Sequence, residues 1–190
     1  MNKQSTNQSK VRLNQFNSSD GCDRGVSKMT ELTWYLIKIV FFLSPIPYPN
    51  KLKLFFLKLF GAKVGLGINI KPRVNIHMPW KLEIGDYTWI GEEVFILNFE
   101  KVKIGNNACI SQRVFLCGGN HDYRDYAFRY RNGPITIEDG AWVGASCFVG
   151  PDVIIGIDTV VSAGAVVTAS LEANGVYKGN PAMFVKKRWQ

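Results

Sequence analysis

A chain of 190 residues with 46% hydrophobic and 20% charged side chains is long enough to bury one sizeable core and does not have the composition of a disordered chain. Its net charge of +8, from 23 basic and 15 acidic residues, favours an anionic partner such as nucleotide phosphates, nucleic acid or an acidic membrane surface, without ranking them. Only two histidines, His77 and His121, and four cysteines without a CxxC pair, Cys22, Cys109, Cys117 and Cys147, argue against a zinc cluster, so no metal is expected, and isolated small thiols fit a reducing, cytoplasmic compartment.

Residues 1–27 are rich in Asn, Ser, Gln and Gly and are expected to form a flexible tail. No signal peptide is visible, since the first thirty residues are polar. The apolar run from Leu32 to Leu43 contains Lys38 and is shorter than the roughly 20 residues of a spanning helix, so it is read as non-spanning. Residues 28–61 read as a helical segment. The stretch MTELTWYLIKIVFF has a plausible start at Thr30 and is apolar nearly all round, which calls for burial. SPIPYPN then breaks the helix with three prolines. In KLKLFFLKLFG, Leu52, Phe55, Phe56 and Leu59 share one helical face, Lys51 and Lys58 lie elsewhere, and Gly61 is a reasonable stop. Two readings stay open: both helices pack on the main domain or a subunit contact, or residues 30–60 rest on a membrane surface as a basic amphipathic element.

Residues 62–170 carry an internal repeat. Aliphatic residues return every six positions in five groups of three: Val64, Ile70, Ile76; Ile84, Ile90, Ile96; Ile104, Ile110, Leu116; Ile137, Val143, Val149; Ile155, Val161, Val167. Glycine often follows, and a small or β-branched residue usually stands four positions on. An even period suits strands, where alternate side chains face the same way. Each hexad reads as a short strand and a corner, three hexads close a triangular coil, and coils stack as parallel strands about 4.8 Å apart. The predicted fold is therefore an all-β solenoid of about five coils, with the helical segment before it and residues 171–190 as a C-terminal cap or tail.

The coils are unequal. Val64, Ile84 and Ile104 are spaced by twenty, Ile104 and Ile137 by thirty-three, and Ile137 and Ile155 by eighteen. All extra residues follow the third hexad, so they emerge at one edge, and the longest insertion is a loop over 122–136 after coil three. At that edge Trp80, Glu100 and Asn120 stand where a small residue is expected. Stacking places Lys81, Lys101 and His121 in one column, with Glu100 one coil below Asn120. Long loops in compact repeat folds are usually functional or disordered. A single histidine there suits general-base chemistry: imidazole titrates near about 6.5 and takes a proton from a hydroxyl near neutral pH. The hydroxyl then attacks a thioester whose oxyanion needs a fixed donor such as a backbone N–H.

At LCGGNHDY the sequence resembles a known family, the colanic-acid-type polysaccharide O-acetyltransferases within the hexapeptide-repeat acyltransferases. CDRGVSK, WIGEEVFI, CISQRVFLCGGNHDY and PITIEDGAWVGASCFVGPDVIIG running on to KGNPAMFVKKR carry the resemblance over nearly the whole chain after residue 12. It implies a left-handed parallel β-helix and a homotrimer with active sites between subunits. It also implies acetyl-CoA as co-substrate, and His121 as the base. By the same resemblance, the Ala145 N–H contacts the thioester oxyanion or coenzyme, Trp142 lines the cleft, Ala163, Gly164 and Thr168 flank the pantetheine arm and nucleotide, and Lys178 begins the segment near the coenzyme phosphates. The chain departs from the family at Ala169, where a lysine is common; Lys178, Lys186, Lys187 or Arg188 is the candidate replacement. Asn98, Asp122 and Tyr123 are expected at the acceptor. Tyr126 and Tyr130 with Arg124, Arg129 and Arg131 give the loop a sugar-binding character. Glu100 is the candidate partner that orients His121.

The expected activity is acetyl transfer from acetyl-CoA to a sugar hydroxyl in exopolysaccharide or capsule synthesis, by direct attack with His121 as base. The saccharide acceptor is either a nucleotide sugar or lipid-linked, and the enzyme is cytoplasmic or peripheral to the inner face of the membrane. A serine- or maltose-type acetyltransferase and a non-catalytic or repurposed β-helix are the alternatives. A γ-type carbonic anhydrase would need three metal-binding histidines, and nucleic-acid binding lacks a motif.

Overall fold

The computed structural model describes residues 9–189; the first eight residues of the expected tail lie outside the described residues. Strands of two or three residues form a three-faced prism. The first face stacks Lys63–Val64, Leu82–Ile84, Val102–Ile104, Ile135–Ile137 and Val153–Ile155. The second stacks Asn69–Ile70, Trp89–Ile90, Cys109–Ile110, Trp142–Val143 and Val160–Val161, and the third Asn75–Ile76, Phe95–Leu97, Phe115–Cys117, Phe148–Val149 and Val166–Val167. All neighbours within these stacks pair in parallel and in the register of the hexads: Ile70 faces Ile90, Ile110, Val143 and Val161 in turn. Fourteen of the fifteen hexad aliphatics are buried, and only Val64, at the open first coil, is partly exposed. The core is a single column of their side chains, filled between by Val74, Val94, Ala108, Val114, Ala141, Cys147 and Ala165.

The glycines of the hexads are selected by the space available to them. Corner residues with left-handed backbone are mostly not glycine: Arg73, Glu93, Arg113 and Ser146 take φ of 59, 61, 59 and 59°. The glycine that follows the aliphatic position is needed because the next coil is too close. A Cβ on Gly91 would come within 2.6 Å of the Gln112 nitrogen, and one on Gly144 within 2.6 Å of the Ala163 nitrogen. Tight coil spacing, not corner conformation, selects glycine there.

The first helix, α1 (Lys28–Phe41), starts two residues before Thr30, because Ser27 caps it by accepting from the Thr30 N–H. It is buried on one face only. Trp34 packs inward and its indole donates to the Ile76 carbonyl at 3.0 Å, whereas Met29, Leu32, Leu36, Ile39 and Val40 are exposed. In α2 (Asn50–Leu59) the inward residues are Lys53 and Leu57, and Phe55 and Leu59 point out, so the expected apolar face is not the buried one. The open bottom coil explains this. Its carbonyls lack a strand below, and the Lys53 ammonium donates to those of Ile70 and Lys71 at 3.0 and 3.2 Å, which removes the cost of leaving them buried and unpaired.

At the other end the solenoid runs further than five coils. Leu171 bridges to Ile155, Gly175–Lys178 adds in parallel to the second face, and Met183–Lys187 returns antiparallel as the closing edge. Residues 9–27 do not form a free tail. The Arg12 N–H donates to the Tyr126 carbonyl at 2.7 Å, the Asn132 side chain reaches the Gly21 carbonyl, and Cys22 is buried.

Candidate active site

His121 stands at the edge between the third and first faces, where the chain leaves the prism after Phe115–Cys117. The loop folds back through a bridge between His121 and Tyr130, closed by the Asp122 N–H on the Arg129 carbonyl at 2.8 Å. Its turn is built from short polar side chains. Asp122 accepts from the Arg124 N–H and Asp125 from the Ala127 N–H, each at 2.9 Å, and Arg129 pairs with Asp125 at 2.9 Å. Those hydrogen bonds hold the Asp125 carboxyl below its ordinary range, the Ala127 N–H contributing most.

The imidazole is held on two sides. Nδ1 lies 2.6 Å from the Phe128 carbonyl; a carbonyl only accepts, so Nδ1 carries the proton and the neutral ring keeps its lone pair on Nε2. The ring stacks on Phe128 at 4.4 Å and 10°, and meets Tyr130 at 4.8 Å and Phe16 at 5.5 Å. Phe128 reaches this position with φ of 54°. Among the described residues no carboxylate orients His121. Glu100, the expected partner, makes no contact with it, because the loop's own backbone fills that role. Asn98 is corrected too: it is fully buried, with its amide accepting from the Met78 N–H and donating to the Met78 carbonyl at 2.9 and 2.6 Å, so it ties two coils together rather than facing an acceptor. Tyr123 is exposed and bonded to Arg124, and Asp122 is engaged in its own turn.

The other expected site residues lie elsewhere on the prism. Ala145, Ala163 and Gly164 are at the edge between the second and third faces, while Thr168 shares the edge of His121, two coils above it. Trp142 projects from the second face, half exposed, with its indole donating to the Ser111 hydroxyl at 2.9 Å. One chain therefore does not bring His121 and Ala145 to the same edge. At the second-to-third edge a pattern repeats. The first corner N–H bonds the coil above and the third bonds the coil below, as Gly144 to Val161 and Ser146 to Gln112. The second one, on Glu92, Gln112, Ala145 or Ala163, has no acceptor among the described residues. Ala145 and Ala163 carry the smallest side chains of that column, and Ala145 is half-buried and Ala163 exposed. Ala145 and Ser146 border a cleft of about 390 Å³ whose other walls are Arg73, Glu93, Gln112 and Arg113. Glu93 bridges Arg113 at 2.8 Å and Arg73 at 3.1 Å, and those hydrogen bonds lower its carboxyl pKa. This ladder was not anticipated, although 73, 93 and 113 share the spacing of twenty that marks the coils.

Of the candidate phosphate ligands, Arg188 is already engaged. Its guanidinium donates to the Gly140 and Asp158 carbonyls at 2.9 and 3.2 Å. Lys178, Lys186 and Lys187 remain exposed near the top of the second face.

Three parallel stacks built on hexads define a β-helix, the fold of the hexapeptide-repeat acetyltransferases among solved structures. No family model matches the chain. The sequence is 38% identical over 176 residues to a protein of Escherichia coli K12 named as the colanic acid biosynthesis acetyltransferase WcaF, covering 93% of this chain and 96% of that one. The chain belongs to that family of acetyltransferases. Among solved structures, it is similar to a hexapeptide-repeat acetyltransferase of Vibrio cholerae solved with acetyl coenzyme A, with a TM-score of 0.77, 22% identity and coverage of 86% of this chain and 89% of that one. A galactoside acetyltransferase in complex with coenzyme A gives a TM-score of 0.76, 24% identity and coverage of 84% and 81%.

Proposed function

We propose that this enzyme transfers an acetyl group from acetyl-CoA to a hydroxyl of a saccharide in polysaccharide synthesis, with His121 as general base. The observation that carries the reading is the His121 ring, whose Nδ1–H is fixed on the Phe128 carbonyl so that Nε2 is the proton acceptor. The polysaccharide context comes from the WcaF relative, and the acetyl-CoA donor from the Vibrio cholerae structure. Nε2 takes the proton of the attacking hydroxyl as its oxygen bonds to the thioester carbon. The collapsing intermediate expels the coenzyme thiolate, which takes up that proton. Transient negative charge on the carbonyl oxygen requires a fixed donor, and the acceptor-free N–H of Ala145 supplies it. Trp142, Ala163, Gly164 and Thr168 line the coenzyme, and Lys178, Lys186 and Lys187 meet its phosphates in place of a lysine at 169.

Because His121 and Ala145 belong to different edges, the working unit is a homotrimer in which one subunit's histidine faces a neighbour's alanine corner. The acceptor-side residues are Tyr123 and the loop arginines. Four free cysteines accord with a reducing cytoplasm. No described helix is long and apolar enough to cross a membrane. The outward apolar face of α1, with Phe55 and Leu59 of α2 and the exposed Lys51 and Lys58 beside them, is read as a peripheral contact with the inner membrane face.

Calorimetry with acetyl-CoA and turnover with candidate glycosyl acceptors test the reading on wild type and His121→Ala. Coenzyme binding by both with transfer lost in the variant is the expected result. Unchanged turnover in the variant would remove the base assignment, and no coenzyme binding by the folded wild type would remove the activity.

A further inference from the structure

Beneath α1 lies a cavity of about 330 Å³, walled by Trp34, Tyr35 and Trp80 and entered by Arg24, Lys28, Lys38 and His77. Its charge is unbalanced. The single carboxylate on its wall, Glu31, is already bound by the Arg24 guanidinium through two hydrogen bonds of 2.7 Å. Lys38 is 93% buried by its 7% relative exposure. It makes no hydrogen bond or ion pair among the described residues, and its one polar contact is with the Tyr35 ring at 5.5 Å. The His77 Nε2 is likewise buried without a partner. The Lys38 ammonium, with no protein acceptor, is left to whatever fills the cavity. Burial accordingly lowers the pKa of Lys38, and burial followed by the nearby Lys38 and Arg24 charges brings His77 to about 4. The contrast with Lys53 is informative, since that buried lysine has two carbonyl acceptors.

Two aromatic rings link the cavity to the candidate active site. Phe99 touches His77 at 4.9 Å on one side and Tyr130 at 5.5 Å on the other, and Tyr130 touches His121. Arg24 lies over the same Phe99 ring at 6.0 Å. Leu32 and Tyr35, on its wall, are also part of the exposed face of α1.

We propose that this cavity binds the phosphate or diphosphate of the acceptor, so that the substrate class is a glycosyl phosphate whose sugar reaches His121. Lys38 and Lys28 supply the donors, and phosphate oxygens supply the acceptor that Lys38 lacks. The proposal rests on the acetyl-transfer reading for its purpose but not for its test. A nucleotide sugar and a lipid-linked sugar both carry this group.

The test uses the full chain saturated with coenzyme A, so that the coenzyme's own phosphate contacts are filled. Inorganic pyrophosphate is titrated by calorimetry into wild type and Lys38→Met, with thermal melting alongside. Wild type is expected to bind and to melt higher with pyrophosphate. Lys38→Met, which removes a charge with no protein partner, is expected to melt at least as high without it and to bind at least about tenfold more weakly. Should that variant fail to fold, Lys28→Gln at the exposed mouth gives the same comparison with a smaller loss. Equal binding by wild type and variants, or no binding by a wild type that still takes coenzyme A, overturns the proposal and leaves acetyl transfer standing. Uridine diphosphate and phosphatidylcholine vesicles carrying farnesyl diphosphate then separate the two sources. Lys38-dependent binding of the first indicates a nucleotide-linked acceptor, and of the second a lipid-linked one.

Discussion

Two edges of the same prism use one corner geometry to different ends. Between the second and third faces the coils turn alike, and four of them repeat an N–H with no acceptor among the described residues, at Glu92, Gln112, Ala145 and Ala163, while Pro72 stands there in the first coil. Between the third and first faces the first three coils all carry extra residues, two in each of the first two and a long loop in the third. There the chain inserts Trp80 and Lys81, then Glu100 and Lys101, then the loop with His121. Regularity multiplies a weak donor until side-chain size decides which copy is open to a ligand. Irregularity places side chains that a packed repeat would exclude. A β-helix is an effective scaffold for both because its core is closed by the hexads alone, and an edge can be rebuilt without touching it.

The sharpest way to break this contrast is at His121. His121→Ala is expected to lower kcat by about 10²- to 10⁴-fold with the melting temperature nearly unchanged, since the ring packs on the loop and not in the core. Ile110→Ala inverts the pattern. Ile110 is fully buried at mid-stack, so unfolding measurements should show a loss of about 2 to 5 kcal/mol, while kcat of the surviving folded fraction is preserved.

A third experiment concerns the irregular edge alone. His77 titrates near 4 in the folded chain against about 6.5 unfolded. The unfolded chain thus binds the extra proton between those values, and stability is full above pH 6.5. It should fall by roughly 2 to 3 kcal/mol as pH drops from 6.5 to 4. Lys38, Arg24 and Glu31 face the same ring. Melting against pH should show this slope in wild type and lose it in His77→Phe. A slope that survives the substitution would mean that other groups control it. The smallest effect is expected at Phe128. Phe128→Ala removes a stacking contact of about 0.5 to 1.5 kcal/mol but keeps the carbonyl on Nδ1. A two- to tenfold fall in kcat with little change in KM would identify the ring as a positioning group.

Much of this was legible from spacing. Six-residue periodicity needs only the alternation of strand side chains, so the prism, its register and the edge that carries the insertions follow from counting. Belonging to that edge is what makes His121 the candidate base. The partner of His121 was not legible, because stacking arithmetic compares equivalent positions in successive coils. It cannot see a loop that folds back and offers its own carbonyl at Phe128. Asn98 failed for a related reason: an amide beside a site is indistinguishable in sequence from one that bonds the coil beneath it, as this one bonds Met78.

The helices show the same division. Their existence and their breaks follow from residue type and proline, which act locally. Which face turns inward depended on what lay beneath. The open coil required a cation for its carbonyls and drew in Lys53, while α1 turned Trp34 and Lys38 inward and left a row of aliphatic side chains outside. Local sequence determined the repeat because each hexad buries its own aliphatic residue against the next. Only the tertiary structure decided the polar contacts, since an acceptor for a buried charge is supplied by whichever distant segment happens to close over it.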